Sequence, residues 1–392
     1  MAVELEYGEP ADAGEVERLK DILGRSFGVA AVEWDTFFSR IGHENFRRLR
    51  RGGEIVGGLA VYFMGQWYGG RAVPMAGVAA VGVAPELRSG GAAAALMART
   101  LAELRERGVP LSTLYPATQR LYRKVGYEQA GTRARFVAPT RAMRVTERGL
   151  PLRRVEAAQH EAFHDLYRAR ARAAAGNLER NRAIWERVVT HPQDEPVHAY
   201  VAGEVAAAEG YVVFHQPHAD SGYDIAVRDL VALTPGAARA ILAFFADHRS
   251  IAKEITWCGP LLDPLACLFS EQELRVKHVE RWMLRLVDVP KALALRGYPA
   301  GVEGELHLAV RDEVLPGNQG RFLLRVGGGR AEVTAGGRGE LALDVRGLAP
   351  LYSGLFTAGD LAAIGLIAGK ADALAAAARL FAGPEPWMPD FF

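Results

Sequence analysis

Apolar and polar positions along the chain recur in two rhythms, and the switches between them mark the predicted elements. After a short strand-like start, residues 13–27 read as an amphipathic helix. Residues 54–64 and 72–83 are apolar and rich in strand-favouring side chains, which predicts two strands with 65–70 as the turn between them. Residues 91–107 predict a helix, because Leu96, Met97, Leu101 and Leu104 fall on one side and Gly108 and Pro110 stop it. A short strand over 110–115 and a helical turn over 117–125 follow. This strand–strand–helix–strand order implies a mixed α/β sheet.

A fainter version of the same order follows. Strands are predicted at 197–202, 208–215, 223–233, 254–258 and 281–287, with a helix at 235–248 after the third of them. In the last stretch, strands at 304–310, 320–326, 330–335 and 340–345 are separated by glycine-rich turns, which suggests antiparallel pairing. Helices are predicted at 348–353, 358–363 and 371–381. The tail, 383–392, holds three prolines, Trp387, Phe391 and Phe392, too stiff and aromatic for a disordered end. The expected fold class is thus α/β (α+β): two mixed sheets flanked by helices in tandem, then an α+β domain. The expected domains are 1–148, 149–288 and 289–392.

Composition narrows the function classes. A chain of 392 residues, 49% hydrophobic and 24% charged, is that of an ordinary folded protein too long for one core. The net charge is +1 with no long basic tract, so nucleic acid is not an expected partner. Cys258 and Cys267 are the only cysteines, and the ten histidines form no metal-ligand spacing, so no metal is expected. No apolar run reaches the roughly 20 residues of a membrane span. The acidic N-terminus lacks a signal pattern, which points to a cytoplasmic enzyme.

The chemistry concentrates where a strand runs into a helix through glycines. Val81, Gly82 and Val83 end the strand; Arg88 leads the turn; Ser89, Gly90, Gly91, Ala92, Ala93 and Ala94 line the helix mouth. A helix N-terminus offers unpaired N–H groups and a favourable dipole to an anion, and glycine lets the backbone approach closely. Gly82 is expected to favour a bulge that frees backbone groups. A plain strand–loop–helix connection would show the same glycines. Farther on, Tyr122 and Tyr127 flank Gly126, and Tyr127 reads as a packing residue.

The spacing of Arg88, Gly91 and Ala93 resembles the Arg/Gln-x-x-Gly-x-Gly/Ala motif of the GNAT superfamily of N-acetyltransferases. With a degenerate second GNAT-like unit and a sterol-carrier-like third, the whole chain is similar to the enhanced intracellular survival (Eis) family. The resemblance implies a homohexameric enzyme that binds acetyl-CoA in its first unit and acetylates aminoglycosides or similar polyamines. It makes Val81–Val83, Arg88, Ser89–Ala94, Ala117 and Thr118 the cofactor residues. It makes Tyr122 the general acid, against the alternative of a structural hydroxyl. It assigns the general base to the carboxylate of the C-terminal residue, here Phe392, against the alternative of a merely docked tail. Glu33, Asp35, His43, Glu44 and Glu128 read as surface charges rather than bases. Ser26, Phe27, Trp34 and Asp35 fall on the substrate side, where an aromatic and a carboxylate would suit a cationic amine; they equally suit a helix packed on the core. The turn after Arg88 is less basic than in the family, which implies fewer cationic contacts to the phosphates. Acetylation of protein lysines and apolar-ligand binding by the third unit are the competing functions.

Overall fold

Helix α1 (Ala13–Phe27) begins where the Asp12 side chain accepts a hydrogen bond from the Glu15 amide at 2.9 Å and ends where Gly28 adopts φ 67°. Both caps satisfy backbone groups that a helix leaves unpaired. Val16, Leu19, Ile22 and Leu23 recur at helical spacing and are buried. The computed structural model describes residues 5–392 except Val29, Ser89, Thr146, Glu147, Pro192, Asp194 and Ser221.

The chain forms two compact units. Met1–Gly131, Arg281–Pro384 and Phe392 make the first; Thr132–Glu280 and Glu385–Phe391 make the second. The first unit opens with β1 (Leu5–Gly8), α1, α2 (Ala31–Ile41), β2 (Phe46–Arg51), β3 (Glu54–Tyr68), β4 (Arg71–Val83), α3 (Ala92–Glu106), β5 (Leu111–Leu114) and α4 (Gln119–Lys124), then enters β6 (Glu128–Pro139). Strands β1 to β4 pair antiparallel in sequence order, and β5 joins β4 in parallel. Leu96, Met97, Leu101 and Leu104 of α3 are buried in one cluster with Leu59, Val61, Val78 and Leu114. The predicted turn over 65–70 is shorter than expected. Gly65, Gln66, Trp67 and Tyr68 continue β3, paired with Pro74, Val73, Ala72 and Arg71, so that only Gly69 and Gly70 turn. Gln66 is polar yet buried, because its Oε1 accepts from Thr113 Oγ1 at 2.9 Å.

The second unit contains β7 (Leu152–Val155), α5 (His164–Ala173), β8 (Leu178–Glu179), α6 (Arg182–Val189), β9 (His198–Ala202), β10 (Gly210–His215), β11 (Tyr223–Ala232), α7 (Pro235–Asp247) and β12 (Ala252–Gly259), and leaves through β13 (Arg275–Leu286). Its sheet runs β6-β12-β11-β10-β9-β7, with β11 and β12 parallel. Phe214, Ile225, Ile241, Phe245 and Trp257 lie in its core.

The chain then re-enters the first unit, where Met283–Leu286 of β13 pair antiparallel with β5. Next come α8 (Val289–Leu295), β14 (Gly304–Arg311), β15 (Gly320–Gly327), β16 (Arg330–Ala335), β17 (Leu341–Asp344), α9 (Val345–Ser353), α10 (Ala358–Ala363), β18 (Ile367–Gly369) and α11 (Ala371–Leu380). The strand order is β16-β15-β14-β17-β18. Pairing is not antiparallel throughout, as the turns suggested. After β16 the chain crosses to the far side of β14, so β17 runs parallel to it. Val345 starts α9 instead of ending a strand, because the Asp344 side chain accepts from the Gly347 amide at 2.9 Å and caps the helix. Within this unit Arg285 is wholly buried, paired with Asp312 at 2.7 Å and donating to the Val125 carbonyl at 2.9 Å.

Candidate active site

The site is built by two strands that part. β4 and β5 pair in parallel at Met75–Leu111, Ala76–Ser112 and Gly77–Thr113, and their pairing stops there while β4 continues to Val83. Past that point β4 is irregular. Gly58 pairs with Gly82 but Ala60 pairs with Ala79, so β4 carries one residue more than β3. Ala80 sits at φ 51°, a backbone state that non-glycine residues seldom adopt. The bulge therefore falls at Ala80 and Val81 and not at Gly82 as expected. Gly82 serves close packing: a Cβ there would lie 2.6 Å from Leu23 Cδ2 and 3.3 Å from Ser26 Oγ of α1. Ser26 Oγ donates to the Val83 carbonyl at 3.2 Å, which ties α1 to the strand end.

Beyond the strand, Pro85–Leu87 form one 3-10 turn, Arg88 is exposed, and α3 begins at Ala92. Ser89 lies outside the described residues. Gly91 precedes the helix at φ 76° and supplies no side-chain acceptor. The first amides of α3, those of Ala92, Ala93 and Ala94, thus receive no cap from it. An open helix mouth beside a parted strand meets the two needs of acetyl-CoA, N–H donors for a pyrophosphate and strand-edge groups for an amide-bearing arm. The residues present fit that ligand.

One cation at this mouth was not foreseen. Arg51 Nη2 donates to the Gly90 carbonyl at 2.9 Å across a sequence separation of 39. Arg51 ends β2, and only strand pairing brings it near Gly90; nothing in its local sequence signals that.

Ala117 and Thr118 are exposed just before α4, and Thr118 makes no side-chain cap bond. Tyr122 of α4 is 5% exposed, its ring edge-on to Tyr127 at 6.1 Å. Burial pushes its hydroxyl up to about 12. Tyr127 packs as expected, fully buried with its hydroxyl 2.7 Å from Ser112 Oγ. Phe392 is buried too. Its ring lies 5.8 Å from Tyr62 and 5.8 Å from Tyr115. A Cβ on Gly77 would come within 2.6 Å of its Cε2. The chain end thus sits where β4 and β5 separate.

The residues before it are held in the second unit. Pro386 accepts from the Thr132 amide at 3.0 Å, and Met388 donates to Thr132 at 3.1 Å. Asp390 pairs with buried Arg180 at 2.8 Å, and Arg180 pairs with Asp229 at 2.5 Å.

On α1 and α2, Trp34 is buried, 5.9 Å from Phe27 and 5.3 Å from Phe37. Among the described residues its buried Nε1–H has no hydrogen-bond partner. Asp35 is exposed and paired with Lys20 at 2.6 Å, while Phe27 is 45% exposed. Glu33, His43 and Glu44 are exposed, as expected of surface charges. Glu128 is not. It is buried between Arg123 and Arg346, each at 2.7 Å. Burial pushes its carboxyl up, but the two guanidiniums prevail and hold it below the usual carboxylate range. Its adjacency to a strand start gave no sign of Arg346, which arrives from α9.

Family models of the acetyltransferase (GNAT) domain match residues 9–130 and 176–286, and that of the sterol carrier protein domain matches 289–389. The fold is similar to the crystal structure of a GCN5-related N-acetyltransferase from Anabaena variabilis, with a TM-score of 0.97 and 43% identity, covering 99% of this chain and 100% of that one. It is similar to Eis1 from Mycobacterium abscessus, with a TM-score of 0.83 and 25% identity over 99% and 100% of the two chains. The sequence is 27% identical over 347 residues to the N-acetyltransferase Eis of Mycobacterium tuberculosis, 85% of each chain. Tandem GNAT domains followed by a sterol-carrier-like domain are the expected architecture, and no described helix is long and apolar enough to cross a membrane. With its parted strands and uncapped helix mouth inside that architecture, the chain belongs to the Eis family of GNAT N-acetyltransferases.

Proposed function

We propose that this enzyme transfers the acetyl group of acetyl-CoA to a primary amine of an aminoglycoside or similar polyamine. The observation that carries the reading is the parting of β4 and β5 beside an uncapped α3. Backbone groups of Val81, Gly82 and Val83 would pair with the pantetheine amides. The helix mouth from Ser89 to Ala94, with Arg88, would take the pyrophosphate, and Ala117 and Thr118 would border the arm. Arg51 supports cation supply here, since it stands at Gly90, where the turn after Arg88 adds no further basic residue.

The amine arrives as an ammonium with a solution pKa near ~10.4 and must lose a proton before its nitrogen can attack the thioester carbonyl. The Phe392 carboxylate takes that proton, directly or through one water. As the carbon–sulfur bond breaks, the Tyr122 hydroxyl protonates the leaving sulfur. Its raised pKa keeps that proton in place at neutral pH. Trp34, Asp35, Ser26 and Phe27 form the amine side, where a substrate cation would compete with Lys20 for Asp35. The three segments 1–148, 149–288 and 289–392 act as catalytic, degenerate and carboxylate-presenting parts of a cytoplasmic homohexamer.

Release of CoA thiol is the test, with acetyl-CoA and a panel of polyamines, monoamines and lysine peptides. Multiple turnovers on polyamines are expected. Turnover on lysine peptides alone would transfer the reading to protein acetylation, and no release with any amine would end both.

A further inference from the structure

The second unit gathers three ligand-type side chains that acetyl transfer does not use. His191 follows Thr190, the residue that ends α6. Arg228 fixes that helix end by donating to the carbonyls of Val188 and Thr190, each at 2.7 Å, and of Arg187. His215 ends β10, paired with Ala226 of β11. The connection just past α6 and the end of β10 thereby bring two imidazoles to ring centroids 4.4 Å apart. Glu195 enters from the connection to β9. Its Oε2 stands 4.0 Å from His191 Nε2 and 3.9 Å from His215 Nε2. Both separations exceed a hydrogen bond. That oxygen is nevertheless buried and, among the described residues, has no hydrogen-bond partner, a state that costs free energy unless something fills the gap.

We propose that His191, Glu195 and His215 bind one divalent first-row transition cation, with zinc as the reference ion. Ligand atoms from all three residues lie within 4.8 Å of one another. Zinc bonds of about 2.0–2.2 Å at a tetrahedral angle set ligand atoms roughly 3.4 Å apart, so closing the two histidine–carboxylate pairs by about half an ångström, and the imidazole pair by at most about 1.4 Å, would seat the ion. A water would take the fourth position. His191 Nδ1 accepts the Gln193 amide at 3.3 Å; ligation through Nε2 moves the ring proton to Nδ1 and gives up only that long bond. The charge of Arg228 opposes a cation, but three carbonyl oxygens share it. The ion would clip the segment after α6 to the end of β10. The expectation that the chain holds no metal came from spacing in the sequence, and these ligands meet only because α6 and β10 end side by side.

Full-length protein, stripped with EDTA and dialysed, is titrated calorimetrically with zinc, and bound metal is counted after gel filtration. One equivalent per chain is expected. It should persist in the Cys258→Ser/Cys267→Ser and His160→Ala/His164→Ala variants, which remove both cysteines and the other pair of facing histidines. It should vanish in His191→Ala/His215→Ala, and Glu195→Gln should weaken binding at least tenfold. Cobalt(II) should show ligand-field bands without sulfur charge transfer. No stoichiometric zinc in the wild type overturns the proposal, as does undiminished binding by Glu195→Gln. Should the double histidine variant fail to fold, Glu195→Gln, on a partly exposed loop, decides alone.

Discussion

The two GNAT repeats each lead a strand into a helix, and the two helix mouths are finished in opposite ways. α3 starts behind Gly91, at φ 76°, with no side-chain cap. α7 starts behind Thr234, whose Oγ1 accepts the Ala237 amide at 3.2 Å and donates to Glu209 Oε2 at 2.5 Å, and Pro235 takes the first helical position. In the second repeat, then, a hydroxyl occupies the acceptor's place and a carboxylate stands beside it, where an anion would otherwise bind. The strands differ likewise. The pairing of β3 with β4 skips Ala80 and Val81. In β11 the carbonyl of Leu230, two residues from the strand end, accepts from Arg170 Nη1 at 2.5 Å. The two repeats thus differ in whether their helix mouth leaves backbone groups for a ligand to satisfy.

If chemistry belongs to the first repeat alone, disturbing the chain end beside it should have the largest effect. Adding two glycines after Phe392 should lower turnover at least ~100-fold, the scale of a lost general base, with the circular dichroism unchanged. An extended enzyme at full rate would take the base role from Phe392. Tyr122→Phe should lower kcat about 100-fold with CoA affinity intact, as read by calorimetry. The sign of the pH effect follows from burial. The acid must be protonated to act, and its pKa is raised to about 12. kcat should therefore show no decline from Tyr122 up to about pH 10; a decline below that pH which disappears in Tyr122→Phe would contradict the assignment.

Smaller effects sharpen the comparison of the two mouths. A Cβ on Gly91 meets nothing within 4 Å, so Gly91→Ala acts through its positive φ alone. Strain of about 1 kcal/mol or more at that position should weaken CoA binding roughly fivefold to tenfold. Arg51→Ala should raise the CoA dissociation constant about fivefold at low salt and less at high salt, as screening predicts. Thr234→Ala should leave CoA binding unchanged and lower unfolding stability by about 1 kcal/mol, the worth of a helix cap, measured by urea denaturation. A gain of CoA binding at the second repeat in Thr234→Gly would mean that this cap alone closes it.

Much of the first repeat was legible in the order of residues. The apolar spacing of Leu96, Met97, Leu101 and Leu104 marked α3, and the glycines before it marked the mouth, because both are local properties of backbone and solvent. Trp67 and Tyr68 were read as part of a turn because Gly65, Gly69 and Gly70 surround them; long pairing with β4 keeps them in a strand. Glu128 looked like a surface charge because nothing near it in sequence announces Arg346. Likewise Arg51 reaches Gly90, and His191 meets His215, only through pairings of distant segments.

The sequence by itself determined the alternation of strands and helices and the glycine-lined mouth of α3, since each depends on neighbours a few residues away. It also placed an aromatic residue at the chain end. Tertiary structure decided where β4 leaves its register, which cation stands at the mouth, and that Phe392 lies at the parting of β4 and β5. Those outcomes depend on which distant backbones pair and on what a missing Cβ, as at Gly77 and Gly82, lets approach. Local patterning carries no record of such contacts, because they are set by close packing between segments far apart in sequence.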